Sequence, residues 1–390
     1  MAFLKELELW PEERIRELIL KATSEDVTRA LKCDRLTCEG LAALLSPQAA
    51  LRLEEMAQAA RRLTRRYFGR IIGLYAPIYL SNVCTSDCIY CGYATRSASP
   101  GQRRTLKPAE IHAECRLLAG YGFQNILLLT GDAPRTVPLR YLEEAVVIAR
   151  EYFSSVSVEV YALDQEDYQQ LVAQGLEGVT LFMETYHRDT YSQVHLRGKK
   201  QDYEYRLGAS ERAGRAGARR LGLGALLGLY DWRIDGFWTA LHARYLQKEC
   251  WQSAISVAFP RLKVSSPRFT VPHLLGDREF VQLMLATRLF LPEAGINLST
   301  RESAGLRDGL IPLGVTIMSA GSSTRPGGYS QGSSAILEQF ATVDKRSPAE
   351  VTEAIRRAGY DPVWKDFDKA FLETAGLPGS SLAHGGSVCN

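Results

Sequence analysis

Apolar residues recur at three- and four-residue intervals from near the start of the chain, over residues 12–22, 24–31, 38–45 and 47–67. That spacing predicts a run of amphipathic helices, a helical extension occupying residues 1–70. Past residue 70 the rhythm changes to short runs rich in β-branched residues, separated by longer amphipathic segments. Eight such runs can be counted, at 72–80, 125–130, 156–163, 178–184, 221–229, 255–259, 296–300 and 315–320. Between them, helical patterns fall at 108–121, 139–153, 164–174, 202–216, 235–248, 277–291 and 302–310. Strict alternation of strand and helix predicts a parallel sheet, and eight repeats predict its closure into a (β/α)8 TIM-type barrel over residues 71–320. Residues 321–390 then read as an irregular extension, with a Gly/Ser/Pro-rich loop at 322–334 and a tail at 377–390 expected to be mobile.

Active sites of such barrels are built at the carboxyl ends of the strands, and the unusual polar clusters of this chain fall there. Cys84-Thr85-Ser86-Asp87-Cys88-Ile89-Tyr90-Cys91 follows the first run. Thr130-Gly131-Asp132 follows the second, Glu184-Thr185-Tyr186-His187 the fourth, Thr300-Arg301-Glu302-Ser303 the seventh and Ser319-Ala320-Gly321-Ser322 the eighth. Three thiolates at spacings of four and three suit one iron-sulfur cluster, and a four-iron cubane held by Cys84, Cys88 and Cys91 keeps one iron open to a ligand. A zinc site is the competing assignment, with His112 and Cys115 as the next ligands along the chain, although both belong to a different expected element.

Composition adds exclusions more than assignments. The 390 residues are 46% hydrophobic and 23% charged, ordinary for a globular protein. A net charge of +3 is too slight to argue for nucleic acid. Lys5, Glu6 and Glu8 crowd the first turns and no apolar run reaches the length of a membrane span, so a cytoplasmic protein is expected. Eight scattered cysteines fit a reducing compartment, where a tight triplet serves metal.

The CxxxCxxC spacing, with the aromatic Tyr90 before its last cysteine, resembles the signature of radical S-adenosylmethionine (SAM) enzymes. This resemblance implies a 4Fe-4S cluster whose open iron chelates SAM. It implies cofactor-binding roles for Tyr90, for Thr130, Gly131 and Asp132 at the place of the family's Gly-rich segment, and for Glu184. Asp132 departs from the family's usual Glu. Arg215 resembles the arginine that pairs with the SAM carboxylate, with Arg212 as its competitor, and Gly222 and Gly224 would let the adenosyl group lie against the barrel wall. Arg301 is placed to hold a substrate carboxylate, because its planar guanidinium makes bidentate, charge-assisted bonds. A structural pair with Glu302 is the alternative. Ser319 is similarly placed to donate to that carboxylate.

Longer stretches narrow the resemblance: residues 74–82, Glu184-Thr185-Tyr186-His187, Gly198-Lys199-Lys200-Gln201-Asp202, Phe259-Pro260-Arg261, Pro326-Gly327-Gly328-Tyr329 and Val363-Trp364-Lys365-Asp366. Together they are similar to the ThiH-type tyrosine lyases, the 2-iminoacetate synthases of thiamine biosynthesis. Membership would imply cleavage of the Cα–Cβ bond of L-tyrosine, thiazole synthase as a protein partner, and a flavodoxin or ferredoxin as reductant. The alternatives are a related lyase acting on tyrosine or tryptophan for another pathway, such as hydrogenase maturation, and a non-catalytic electron-transfer protein.

Overall fold

The computed structural model describes residues 2–97, 102–262, 269–332 and 335–364. The tail at 377–390, Lys365-Asp366 and residues 333–334 of the Gly-rich loop lie outside them. Six helices come first: α1 (Ala2–Glu8), α2 (Glu12–Lys21), α3 (Ser24–Lys32), α4 (Cys38–Leu44), α5 (Pro47–Ala50) and α6 (Leu53–Phe68). Their starts carry local signals. Thr23 and Asp26 close a capping box on α3, and Ser46 caps α5 ahead of Pro47.

The barrel follows as β1 (Ile71–Ser81), α7 (Pro108–Gly120), β2 (Asn125–Thr130), α8 (Leu139–Arg150), β3 (Ser155–Glu159), α9 (Gln165–Ala173) and β4 (Gly178–Thr180). After β4 come α10 (Arg188–Val194), α11 (Tyr203–Leu207) and α12 (Ala209–Arg215), then β5 (Arg220–Gly224) and α13 (Trp232–Glu249). It is completed by β6 (Ala254–Ala258), α14 (Asp277–Phe290), β7 (Gly295–Leu298), α15 (Ala304–Leu310) and β8 (Ile317–Ser319). The strands pair in parallel in chain order and β1 closes on both β2 and β8, so this is a (β/α)8 TIM-type barrel.

Beyond the short α10 within the barrel, two elements of the carboxyl-terminal extension were not foreseen, α16 (Pro348–Arg357) and β9 (Asp361–Val363). β1 is long, and its partner β2 begins only opposite Ala76. β9 covers the vacant stretch, pairing Ile71 to Gly73 with Asp361 to Val363. Pro362 fits there because an edge strand has donors to spare.

The period of two sorts each strand. Ile72, Leu74, Ala76, Ile78 and Leu80 of β1 are fully buried, while Tyr75, Pro77 and Tyr79 line the cavity at the barrel mouth. The amino-terminal helices pack on the outside, against the wall formed by α13 and α14. Gln282 donates to the carbonyls of Leu44 (2.9 Å) and Ser46 (2.8 Å), and Trp238 donates to that of Trp10 (3.0 Å). Parts of the segment after β8 return to the mouth, where Ser322, Thr324, Gln339 and Phe340 join the cavity lining.

Candidate active site

The loop after β1 is held by its neighbours on every side. Asn82 accepts from the backbone of Arg104 at 2.6 Å. The backbone N–H of Thr85 and its hydroxyl both donate to the carbonyl of Asp132 at 2.7 Å, and the Ser86 hydroxyl donates to the Asp132 carboxylate at 2.7 Å. The loop before Lys199 adds bridges from Asp87 to Arg197 and Leu196. A side chain at Gly131 would put its Cβ 2.2 Å from the Val83 carbonyl oxygen and 3.0 Å from the Cys84 Cβ. At Gly92 it would lie 2.3 Å from the Glu338 carbonyl. Only glycine lets the second strand's end and the carboxyl-terminal segment press so closely on this loop.

That cradle carries all three thiols. Burial pushes Cys88 up to about 12 and Cys91 up to about 11, and Cys84 upward too. Cys84 and Cys91 add to the rise of Cys88, and Cys84 to that of Cys91, so the three stand within electrostatic reach. Cys91 lines the cavity. Among the described residues no three His, Cys, Asp or Glu side chains converge on one point as a single metal ion requires. A cubane asks for something wider, because each thiolate binds a different iron. The zinc assignment fails on its fourth ligand: His112 sits against Tyr152 (3.0 Å) and Cys115 is fully buried, both on α7. The donor set fits a three-cysteine cluster.

Beside the cysteines lies a group of buried charges. Glu184 has φ 70°, the one positive φ outside glycine among the described residues. Its turn is pinned by Asp235 of α13, which accepts from the backbone of Tyr186 (2.8 Å) and from the Thr185 hydroxyl (3.1 Å). Thus aimed, Glu184 meets Lys200 at 2.6 Å and Arg206 at 3.5 Å. Burial alone would raise the Glu184 carboxyl, but the two cations hold it below its ordinary value. Tyr90 stands over this group, with Lys200 Nζ 5.8 Å from its ring and its hydroxyl 2.8 Å from His195 Nε2. His195 Nδ1 faces the Tyr191 carbonyl at 2.8 Å, so it donates there and Nε2 accepts from Tyr90. Burial keeps that imidazole neutral.

Arg301 lies on the wall beyond β7. Its guanidinium stacks on Phe340 at 3.3 Å and makes no hydrogen bond or ion pair among the described residues. Glu302, its competing partner, is taken by Arg261. Burial lowers the Arg301 pKa, with Tyr79, Glu184 and Glu159 acting in the opposite sense. Ser319 accepts from the Thr300 backbone at 3.1 Å and lines the same cavity. With its open mouth the cavity measures about 1210 Å³.

The structure therefore gathers Cys91, Tyr90, Glu184, Arg301 and Ser319 around one space, with Thr130, Gly131 and Asp132 behind the cysteine loop. Arg215 is not gathered there. It pairs with Glu211 at 2.5 Å on the outside of α12, and Arg212 is spent on the carbonyls of Leu163 (2.9 Å) and Tyr205 (2.8 Å). The cause is a break at Gly208, which splits the expected helix so that only its first half, with Arg206, faces inward. Asp132 reaches the cysteine loop through Ser86. Gly222 and Gly224 offer no room either, since Cβ atoms there would meet Thr180 Oγ1 at 2.4 Å and the Ala258 carbonyl at 2.0 Å. Sequence reasoning passed over Lys200 and Glu159, which line the cavity, and Arg206, which stands behind Glu184.

A parallel barrel with a three-cysteine loop at the carboxyl end of its first strand is the architecture of the radical SAM enzymes. The Radical SAM superfamily model matches residues 78–242, and the Biotin and Thiamin Synthesis associated domain matches residues 260–361. The chain is 43% identical over 360 residues, 92% of its length, to the 2-iminoacetate synthase of Escherichia coli K12, of which it covers 94%, and equally to that of Salmonella typhimurium LT2. It superposes with TM-score 0.85 and 31% identity on the crystal structure of HydG, a maturase of the iron-iron hydrogenase, covering 93% of this chain and 84% of that one. The chain belongs to the 2-iminoacetate synthase family.

Proposed function

We propose that this chain is a carbon–carbon lyase that cleaves the Cα–Cβ bond of L-tyrosine, releasing 2-iminoacetate and p-cresol for the thiazole moiety of thiamine. Family membership supports the reaction. The carrying observation is an arginine without a partner, Arg301, in the cavity that Cys91 also lines. A half-buried guanidinium left open invites an anion to pair with it, and an amino acid carboxylate matches its planar fork.

The chemistry that Cys84, Cys88 and Cys91 would host is that of a 4Fe-4S cluster with SAM at its open iron: one-electron cleavage of the sulfonium to methionine and a 5′-deoxyadenosyl radical. Everything else is positioning by this chain. Arg301 holds the tyrosine carboxylate, with Ser319 donating beside it. That anchors the amino group toward the cysteine side, where hydrogen abstraction takes place. Glu184 meets the amino group or ribose of SAM, and Arg206, in place of Arg215, pairs with its carboxylate. Lys200 keeps Glu184 ionised in the meantime. Ser322, Thr324, Gln339 and Phe340 help exclude water from the mouth, which matters because an imine product hydrolyses.

By this reading the imine passes to thiazole synthase, and a flavodoxin or ferredoxin delivers the electron in the cytoplasm. Among the described residues no helix is long and apolar enough to cross a membrane. The test is anaerobic reconstitution followed by SAM, dithionite and tyrosine. Wild type yields 5′-deoxyadenosine and p-cresol, and Cys88→Ala yields neither. Indole products from tryptophan would move the chain to another lyase. Absence of SAM cleavage would leave an electron-transfer protein.

A further inference from the structure

The polar groups lining the cavity divide into those already engaged and those left open. Tyr79 donates to Gln339 (2.7 Å) and Tyr90 to His195, while Glu184 is held by Lys200 and Glu302 by Arg261. Two charged side chains remain without a hydrogen bond or ion pair among the described residues: Arg301 and Glu159. Glu159 is the last residue of β3 and pairs in register with Leu129, itself opposite Tyr79. Its alternation with Val158 and Val160, both packed under the helices, turns its carboxyl inward to the cavity.

Arg301 follows β7. In a closed barrel of eight strands in chain order, β3 and β7 face each other across the axis. The cavity thus carries an open cation on one wall and an open carboxyl on the wall opposite, with Pro77, Leu127, Leu129 and Phe182 between them. Such a slot fits an amino acid with an apolar ring and a hydrogen-bond donor at its far end. A phenol buried in this barrel needs a partner for its hydroxyl, since an unsatisfied one is costly.

Resting on the assignment of tyrosine as substrate, we infer that Glu159 is the specificity residue that receives the phenolic hydroxyl while Arg301 holds the carboxylate. The carboxyl is also pushed up to about 7, by burial first and then by the charge of Glu184, which makes it a strong acceptor beside a phenol. Recognition of this kind separates tyrosine from phenylalanine, because the analogue leaves the carboxyl facing a ring edge. Among the cavity carboxylates described here, Glu159 has no competing cation partner to lose.

The test compares wild type with Glu159→Gln and Glu159→Ala in the reconstituted holoenzyme. Wild type must first convert tyrosine to p-cresol; if it does not, the substrate assignment falls and not this one. Given that activity, Glu159→Ala is expected to raise the KM for tyrosine roughly ten- to hundred-fold, the loss of a hydrogen bond to a charged group. Glu159→Gln, which keeps an acceptor, is expected to recover part of that loss. The KM for SAM and the inhibition constant of L-phenylalanine should stay within about two-fold of wild type, readouts that general damage to the barrel would move together. An unchanged tyrosine KM in Glu159→Ala overturns the inference, as does a shift in the SAM KM of the same size.

Discussion

Two arginines, one fully buried at the amino end of the barrel and one half-buried at the carboxyl end, show how differently the same side chain can be used. Arg288 of α14 sits at the amino end, with no exposed surface, and donates to the carbonyls of Leu291, Pro292, Ala294 and Gly314. Those residues lead into β7 and toward β8, so one guanidinium ties the entries of two strands. Arg301, at the carboxyl end after β7, has a ring beneath it and no polar partner among the described residues. Burial alone does not mark function. Both terminal nitrogens of Arg288 are taken by carbonyls, although its Nε is not, and that marks a scaffold; a fork with no nitrogen engaged marks a place for a ligand.

If that contrast holds, the two substitutions should dissociate stability from activity. The larger effect is expected for Arg288→Met, which takes the guanidinium donors from the carbonyls of Pro292, Ala294 and Gly314, while that of Leu291 keeps the Ala294 N–H. It should cost about 3–5 kcal/mol of stability, seen as a lower urea midpoint, while the surviving folded fraction keeps its kcat. Next comes Arg301→Ala. Its stability should be unchanged or slightly higher, since a half-buried charge without a partner is removed, but kcat/KM for tyrosine should fall by about 10²-fold, close to 3 kcal/mol. Arg301→Lys should recover little, because a point charge cannot reproduce the fork. Loss of stability in both variants, or in neither, would erase the distinction.

The same contrast explains which parts could be read in advance. The barrel was legible because the change from a helical to a period-two rhythm is a local property, repeated eight times. The cysteine loop, Glu184 and Arg301 were legible because polar residues at strand ends of this fold face the cavity. Lys200 was not, because Arg197 to Lys200 reads as a basic loop and charge alone does not say which way a side chain turns. It takes Gly198, at φ 93° and pressed on Ser86, to fold that loop inward. Arg206 was hidden inside one expected helix. Glu159 had a signal: a lone acid alternating with Val156, Val158 and Val160 belongs to the face opposite theirs. α16 and β9 were lost in a segment rich in turn residues, where Pro362 argues against a strand unless the edge is known.

The smallest expected effect concerns the open carboxyl, where a site kept ready for a ligand should carry a stability cost that a closed one does not. Glu159 is raised from its ordinary 4.5 to about 7. Its folded-state pKa therefore lies above the unfolded value, and between those two values the folded protein binds the more protons. Stability must fall as pH rises through that window. Above it, the ionised side chain costs at most roughly 3 kcal/mol, less what solvent in the half-open cavity screens. Asp235 is also raised to about 7 and titrates in the same window, but it is present in both proteins and cancels in the difference. Glu159→Gln should therefore match wild type near pH 4.5 and exceed its urea stability by roughly 2 kcal/mol at pH 8. A difference independent of pH would mean that the carboxyl is already paid for by a partner in the wall, and that β3 resembles the Arg288 end of the barrel more than the Arg301 end.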